Sequence, residues 1–420
     1  MNDLPPYIHL LNDDRLFLKQ NHETYAQWRR HLHQHPETAF EEVQTAQFVA
    51  DRLRSFGLEV HEGLAQTGVV AVWRNPRNSS LEQSDHILPR IGLRADLDAL
   101  PMDEFNTFAH RSIYDGKMHA CGHDGHTIML LAAAHRLSQS PPQNVGEIIF
   151  IFQPAEENEA GGRVMVEEGL FDQFPVDAVF GLHNLPGLTL GHFAARVGPQ
   201  MASADFFKLT LKGKGGHAAW PHQCSDVLVS ASQLVLSWQT IVSRKIDPLS
   251  PAVVSVTQIH GGQSTNVLPA QVEVTGTVRA FDEATRQQIE NQMKAEIDAV
   301  CLSGDFEADW QYEHRYTATV NAPLPTEFSL KVAQQCFGAS KVDGTPQPLM
   351  GAEDFGWMLR ARPGCYALLG AGDRPMLHHP HYDFPDELLA HGALYWIQLA
   401  RTFLRNPLKI NDFSLDLSET

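Results

Sequence analysis

Short apolar runs alternate with helix-spaced stretches through the first half of the chain. Val69–Trp73, Ile91–Leu93, Ile148–Phe152 and Val176–Leu182 are nearly unbroken by polar residues, the pattern of strands covered on both faces. Between the second and third of these lies Thr127–Leu137, which is apolar and helix-prone. Residues 22–35 and 39–56 are expected to be helices. Thr38 stands three residues before Glu41 in the spacing of a capping box, and Gly57 is placed to stop the helix. Buried strands alternating with helices indicate an α/β domain.

Near residue 200 the pattern changes. Asp205–Leu211 alternates apolar with polar, Ser225–Arg244 has the composition of a long helix, and Val253–Ile259 and Gln271–Ala280 follow as strands. Glu283–Leu302 is amphipathic and Phe306–His314 is again strand-like. The order β-α-β-β-α-β is the split βαβ, ferredoxin-like arrangement. After it the α/β pattern returns, with helices near 326–337 and 387–404. The expectation is an α/β domain made of residues 1–199 and 315–420, with an α+β domain at 200–314 inserted into it.

Composition narrows the function classes. Apolar residues make up 43% of the 420 and charged residues 20%, which excludes a disordered or collagen-like chain. The net charge of −18 repels phosphate backbones, so no nucleic-acid partner is expected. No apolar run is long enough to span a bilayer, so no membrane partner is expected either. The amino-terminal stretch lacks the basic-then-apolar layout of a secretory signal. Five cysteines, widely spaced and without a C-x-x-C pair, suit a reduced, cytoplasmic chain. Against these five stand 22 histidines, which direct attention to metal or acid–base chemistry.

The chemistry-bearing residues gather in short segments at or just after expected strands, where α/β proteins place their sites. Asp96 and Asp98 are two apart in Leu93–Asp98 and would share one face of an extended strand, though a solvated strand end would look the same. Met118–Thr127 holds His119, Cys121, His123, Asp124 and His126. Thiolate and imidazole both suit zinc and its first-row neighbours, and Gly122 lets Cys121 and His123 turn toward one ion. A nucleophilic Cys121 is the weaker alternative. Glu156 and Glu157 follow an apolar strand as adjacent carboxylates that can divide labour between holding a cation and moving a proton; acidic residues at a helix start would read alike. His183 sits at another strand end, and His378, His379 and His381 cluster near the carboxyl terminus, with Glu353 and Asp354 not far upstream. The inserted region has its own polar set in His217, His222, Asn266 and Arg279, the last suited to gripping a carboxylate in a bidentate manner.

Taken in order, LRADLDALP, MHACGHDGHT, FQPAEE, GKGGHAA, NVLPA, GTVRAF, GAEDF and the His378–Asp383 segment resemble the metal-dependent amidohydrolases that include hippurate hydrolase, aminoacylases and the plant hydrolases of indoleacetyl-amino acids. The resemblance runs from Arg30–Glu37 to His378–Asp383. It implies a metallopeptidase-like catalytic domain, a mixed sheet between helices, carrying an inserted ferredoxin-like lid and dimerisation domain. It implies two divalent cations per subunit, Zn2+ or Mn2+ with Co2+ and Ni2+ also open, held by Cys121, His123, Glu157, His183 and His378. Glu156 would be the general base and Asp96 would orient a ligand; Arg94 stands where the wider superfamily has a ligating histidine, and His123 would substitute for it. His217 would stabilise an oxyanion, and Asn266 and Arg279 would hold the substrate carboxylate. The implied substrate is a small N-acyl-amino acid, and the implied assembly a homodimer or homotetramer through the inserted domain. A dipeptidase or carboxypeptidase on the same scaffold and a non-catalytic metal- or ligand-binding homologue are the competing readings.

Overall fold

The computed structural model describes residues 6–77 and 88–408. The first residues of the stretch read against a secretory signal, 1–5, lie outside them. Contacts divide the chain into two compact units. The first is built from the described parts of Met1–Gln200, Val320–Gln347 and Trp357–Thr420, and the second from Met201–Thr319 and Pro348–Gly356. The short excursion Pro348–Gly356 has no counterpart in the sequence-based division.

The first unit is a mixed eight-stranded sheet between helices. Its strands are β1 (Glu59–Leu64), β2 (Gly68–Arg74), β3 (Arg90–Asp96), β4 (Glu147–Gln153), β5 (Ala178–Pro186), β6 (Phe193–Ala194), β7 (Val342–Asp343) and β8 (Gly364–Gly372). They lie in the order β1-β2-β4-β3-β5-β8-β6-β7. β3, β4, β5 and β8 run parallel, whereas β1, β2 and β4 pair antiparallel. The parallel strands are buried along almost their whole length, which explains their unbroken apolar runs.

The longer helices of this unit are α1 (Pro6–Gln20), α2 (His22–Gln34), α3 (Val43–Ser55), α4 (His123–Gln139), α5 (Pro323–Phe337) and α6 (Glu387–Arg405). Two differ informatively from the sequence pattern. α3 starts at Val43, so Thr38 is not its cap. Thr38 still donates to Glu41 at 2.9 Å, but in the loop ahead of the helix. The carboxylate of Glu37 serves the helix end instead, accepting from the backbone of Gln44 at 3.2 Å and Thr45 at 2.9 Å. α4 begins at His123, four residues before its apolar stretch, because Gly122 takes a left-handed φ of +94° and turns the chain into the helix. The apolar residues of α4 are buried on every side, which is why its sequence shows no polar stripe. Its Met129 lies against Gly392 of α6, where an added Cβ would come within 1.9 Å of the sulfur.

Register brings the carboxyl ends of the parallel strands to one edge. Asp96 of β3 pairs with Gln153 of β4, and Leu368 of β8 pairs with His183 of β5. The amino end of α4 meets the same edge, where Thr127 Oγ1 donates to the Asp96 carbonyl at 2.9 Å.

The second unit is a four-stranded antiparallel sheet in the order Ala252–Gly261, Gln271–Ala280, Ala204–Lys212, Glu307–Tyr316. Two helices, Val227–Thr240 and Glu283–Ser303, supply the other half of its core, with Trp238, Ile289 and Met293 packed on Phe207, Leu209 and Val274. Asp226 and Asp282 cap these helices by accepting from backbone amides of their first turns. The connection order is the split βαβ of a ferredoxin-like unit. Among the described residues no helix is long and apolar enough to cross a membrane.

Candidate functional site

The edge where β3, β4 and β5 end collects most of the residues singled out in the sequence. Ligand-type atoms of Cys121, Glu157 and His378 lie within 4.8 Å of one another, and so do those of His123, Glu156 and Glu157. The two groups share Glu157. A third group brings Asp96, His123, His126 and His183 together within the same limit. The sulfur of Cys121 is 3.4 Å from His183 Nε2, and His378 Nε2 is 3.1 Å from Glu157 Oε1.

Hydrogen bonds separate residues able to ligate from residues that support them. His123 Nδ1 donates to the backbone carbonyl of Asp98 at 2.9 Å and to its carboxylate at 3.2 Å. Its Nε2 is buried without a hydrogen-bond partner and lies 3.8 Å from Asp96 Oδ2 and 3.9 Å from Glu156 Oε2. A buried ring nitrogen facing two carboxylates at those distances fits a cation. His183 Nδ1 likewise donates to a backbone carbonyl, at 2.7 Å, which leaves Nε2 directed to Cys121. His126 differs. Its Nδ1 donates to Asp96 at 2.6 Å while its Nε2 accepts from the backbone amide of Asn184 at 3.0 Å, so both ring nitrogens are used. Asp96 is held on its other oxygen by Arg94 at 2.7 Å. His119, in the same segment, is buried with neither ring nitrogen bonded, and burial lowers its pKa to about 3.

The electrostatics call for positive charge. Burial disfavours the protonated form of His123, but Asp96, Asp98 and Glu157 outweigh it and hold the pKa at about 10. Burial together with Glu157, Glu156 and Asp96 pushes the Cys121 thiol well above its ordinary value. A site that surrounds a thiol and two imidazoles with carboxylates matches the donor chemistry of zinc, manganese and related divalent ions.

The loops are shaped for this arrangement. An added Cβ at Gly122 would lie 2.3 Å from Asn184 Nδ2 and 2.7 Å from Tyr382 Oη. Asn184 Nδ2 donates to the Cys121 carbonyl, and Tyr382 Oη donates to Asn184 Oδ1, each at 2.6 Å. His378 takes a φ of +64° and donates its backbone amide to the Ala120 carbonyl at 2.8 Å. The Glu157 amide donates to Asp98 at 2.8 Å, and the Ala155 amide to Glu42 at 2.8 Å. Behind α4, buried His33 bridges Asp124 at 2.9 Å and Glu104 at 3.2 Å.

Thus Asp96, Cys121, His123, Glu156, Glu157, His183 and His378 come together in the first unit. In the second unit, His217 and Asn266 adjoin on a small ribbon of Gly216–His217 with Val267–Leu268, where the Ala218 amide donates to the Asn266 carbonyl at 3.0 Å. Arg279 stands apart from them on Gln271–Ala280, paired in register with Val253. Sequence reasoning gave no support role to His126, Asn184 and Tyr382, and named Asp98 only as a neighbour of Asp96. The alternation Asp96-Leu97-Asp98 was the available signal; nothing in one sequence marks Asn184 or Tyr382.

Comparison with known proteins gives three findings. A family model described as peptidase family M20/M25/M40 matches residues 92–402. The chain is 37% identical over 378 residues to a hippurate hydrolase of Campylobacter jejuni, covering 90% of this chain and 96% of that one, and 35% identical over 386 residues to an N-acetyl-L-cysteine deacetylase of Bacillus subtilis, covering 91% and 89%. It is similar to the crystal structure of a Bacillus subtilis dinuclear metal-binding peptidase of family M20, with TM-score 0.79, 30% identity, and coverage of 92% and 99%.

Proposed function

The chain belongs to peptidase family M20/M25/M40, and from that premise we propose that it is a metal-dependent amidohydrolase acting on N-acyl-L-amino acids, releasing a carboxylic acid and a free amino acid. The observation that carries this reading is the sharing of Glu157 between the Cys121–Glu157–His378 and His123–Glu156–Glu157 groups. A carboxylate common to two groups of ligand-type atoms, with a second carboxylate beside it, would suit the holding of two cations for metal-assisted hydrolysis.

Cys121, His123, Glu157, His183 and His378 would hold the cations. When bound, these would polarise the scissile carbonyl and make water acidic enough to lose a proton near neutral pH. Glu156, only 7% exposed, takes the proton from the attacking water and delivers it to the leaving amine. Asp96 keeps the His126–Asn184 support in place through its 2.6 Å bond to His126. In the second unit His217 would stabilise the developing oxyanion, and Asn266 and Arg279 would hold the substrate carboxylate. The proposed metals are zinc or manganese, with cobalt and nickel also compatible with the same donors. We assign the protein to the cytoplasm, in line with its free cysteines. We also propose assembly into a dimer or tetramer through the second unit, whose edge strand Ala252–Gly261 and helix Val227–Thr240 expose Ile259, Val229 and Leu236.

The test is a panel of N-benzoyl- and N-acetyl-amino acids beside dipeptides, each assayed with several reconstituted metals. Preferential hydrolysis of the acyl-amino acids is expected. Faster cleavage of dipeptides would move the assignment to a peptidase on the same scaffold, and metal binding without hydrolysis of any substrate would leave a binding protein.

A further inference from the structure

The first unit contains a cavity none of whose lining residues belongs to the cluster at the strand ends. It lies where α1 and the start of α2 meet the end of α5 and the side of α6, and has a volume of about 610 Å³, the size of a small-molecule site. Its inner surface is apolar: Leu18, Cys336 and Leu394 are buried there. Phe337 and His391 form part of the wall, with ring centroids 5.9 Å apart. The rim is cationic. Arg15, Lys19 and Lys341 line the cavity together with His22 and His391, and no carboxylate residue is among the lining residues. In a chain with 50 acidic and 32 basic residues, three fixed cations without an acid mark a local reversal of charge. Arg15 donates to the Cys336 carbonyl at 2.7 Å, tying α1 to the end of α5 and fixing one wall.

We propose that this cavity binds an amphiphilic carboxylate, its head group at Lys19 and Lys341 and its apolar tail against Leu18, Phe337 and Leu394. An apolar pocket with a few convergent charges selects a ligand by the sign of its head and the length of its tail. A neutral or cationic analogue would leave the lysines unpaired or repelled. Inorganic anions would lack the burial of the tail.

The experiment is equilibrium dialysis of the metal-loaded full-length protein against decanoate, decylamine and inorganic phosphate. Saturable decanoate binding is expected, with decylamine and phosphate much weaker. The double variant Lys19→Glu with Lys341→Glu should weaken decanoate binding about tenfold or more, equivalent to about 1.4 kcal/mol, with hydrolytic turnover unchanged because neither lysine touches the metal cluster. Ala390→Trp, which fills the cavity from α6, should remove the same binding with both lysines present. Absence of saturable decanoate binding, equal affinity for decylamine, or decanoate binding unchanged in both variants would overturn the proposal.

Discussion

Asp98 and His123 form a two-point contact: the imidazole Nδ1 donates to both the backbone carbonyl and the carboxylate of Asp98, at 2.9 and 3.2 Å. The other carboxylate oxygen of Asp98 accepts from the Glu157 amide at 2.8 Å. One side chain therefore orients two proposed ligands, one from α4 and one from the loop after β4. Asp98→Ala is expected to lower metal affinity by about 10- to 100-fold, the usual loss when a residue orienting a metal ligand is removed. Metal titration monitored with a competing chelator measures this, and an unchanged affinity would mean that His123 is held by other means.

Glu156→Gln removes the proposed proton acceptor while keeping its volume. Turnover is expected to fall by about 10²- to 10⁴-fold with metal content at the wild-type level. Measuring both on one sample separates the roles: loss of metal would place Glu156 among the ligands, and retained turnover would remove it as the base.

Gly122→Ala should destabilise the fold itself. The residue must adopt φ +94°, which costs an L-residue about 1–2 kcal/mol, and its Cβ would meet Asn184 and Tyr382, adding about 1–3 kcal/mol of overpacking. A thermal melt of the metal-free protein should show a fall of several degrees. An unchanged melt would mean that the Cys121–Asn184–Tyr382 chain can shift without loss.

His33 gives a pH dependence whose direction follows from its partners. Burial opposes its charge, but hydrogen bonds to Asp124 and Glu104 prevail and raise its pKa from 6.5 to about 9. Because the folded value lies above the unfolded one, its contribution is fully present below about pH 6.5 and is lost as pH rises through about 9. That contribution is on the order of 3 kcal/mol. Denaturant unfolding of wild type and His33→Gln should differ in slope across this window, with the variant flatter; parallel profiles would contradict the assignment.

Much of this was legible in the sequence for reasons that can be stated residue by residue. Ile148–Phe152 and Val69–Trp73 announced themselves because strands covered on both faces admit no polar interruption. The second unit was legible because its alternation, as in Gln271–Ala280, reflects one buried face. The metal segment was visible by density, but density did not sort its members. His123 and His126 stand three apart at the start of one helix, yet one keeps a nitrogen free while the other spends both on Asp96 and Asn184. That distinction depends on partners 30 and 58 residues away in sequence, and no local pattern contains it. Glu37 escaped for a different reason: it accepts from amides seven and eight residues ahead, outside the three-residue spacing of a capping box.

The most direct test of the central claim is a metal titration of chelated protein with hydrolysis of N-benzoylglycine as the readout. The account predicts negligible activity without metal and a rise in rate that ends at two equivalents of divalent cation per chain. Full activity after exhaustive chelation, or no hydrolysis of any N-acyl-amino acid at any metal loading, would contradict it.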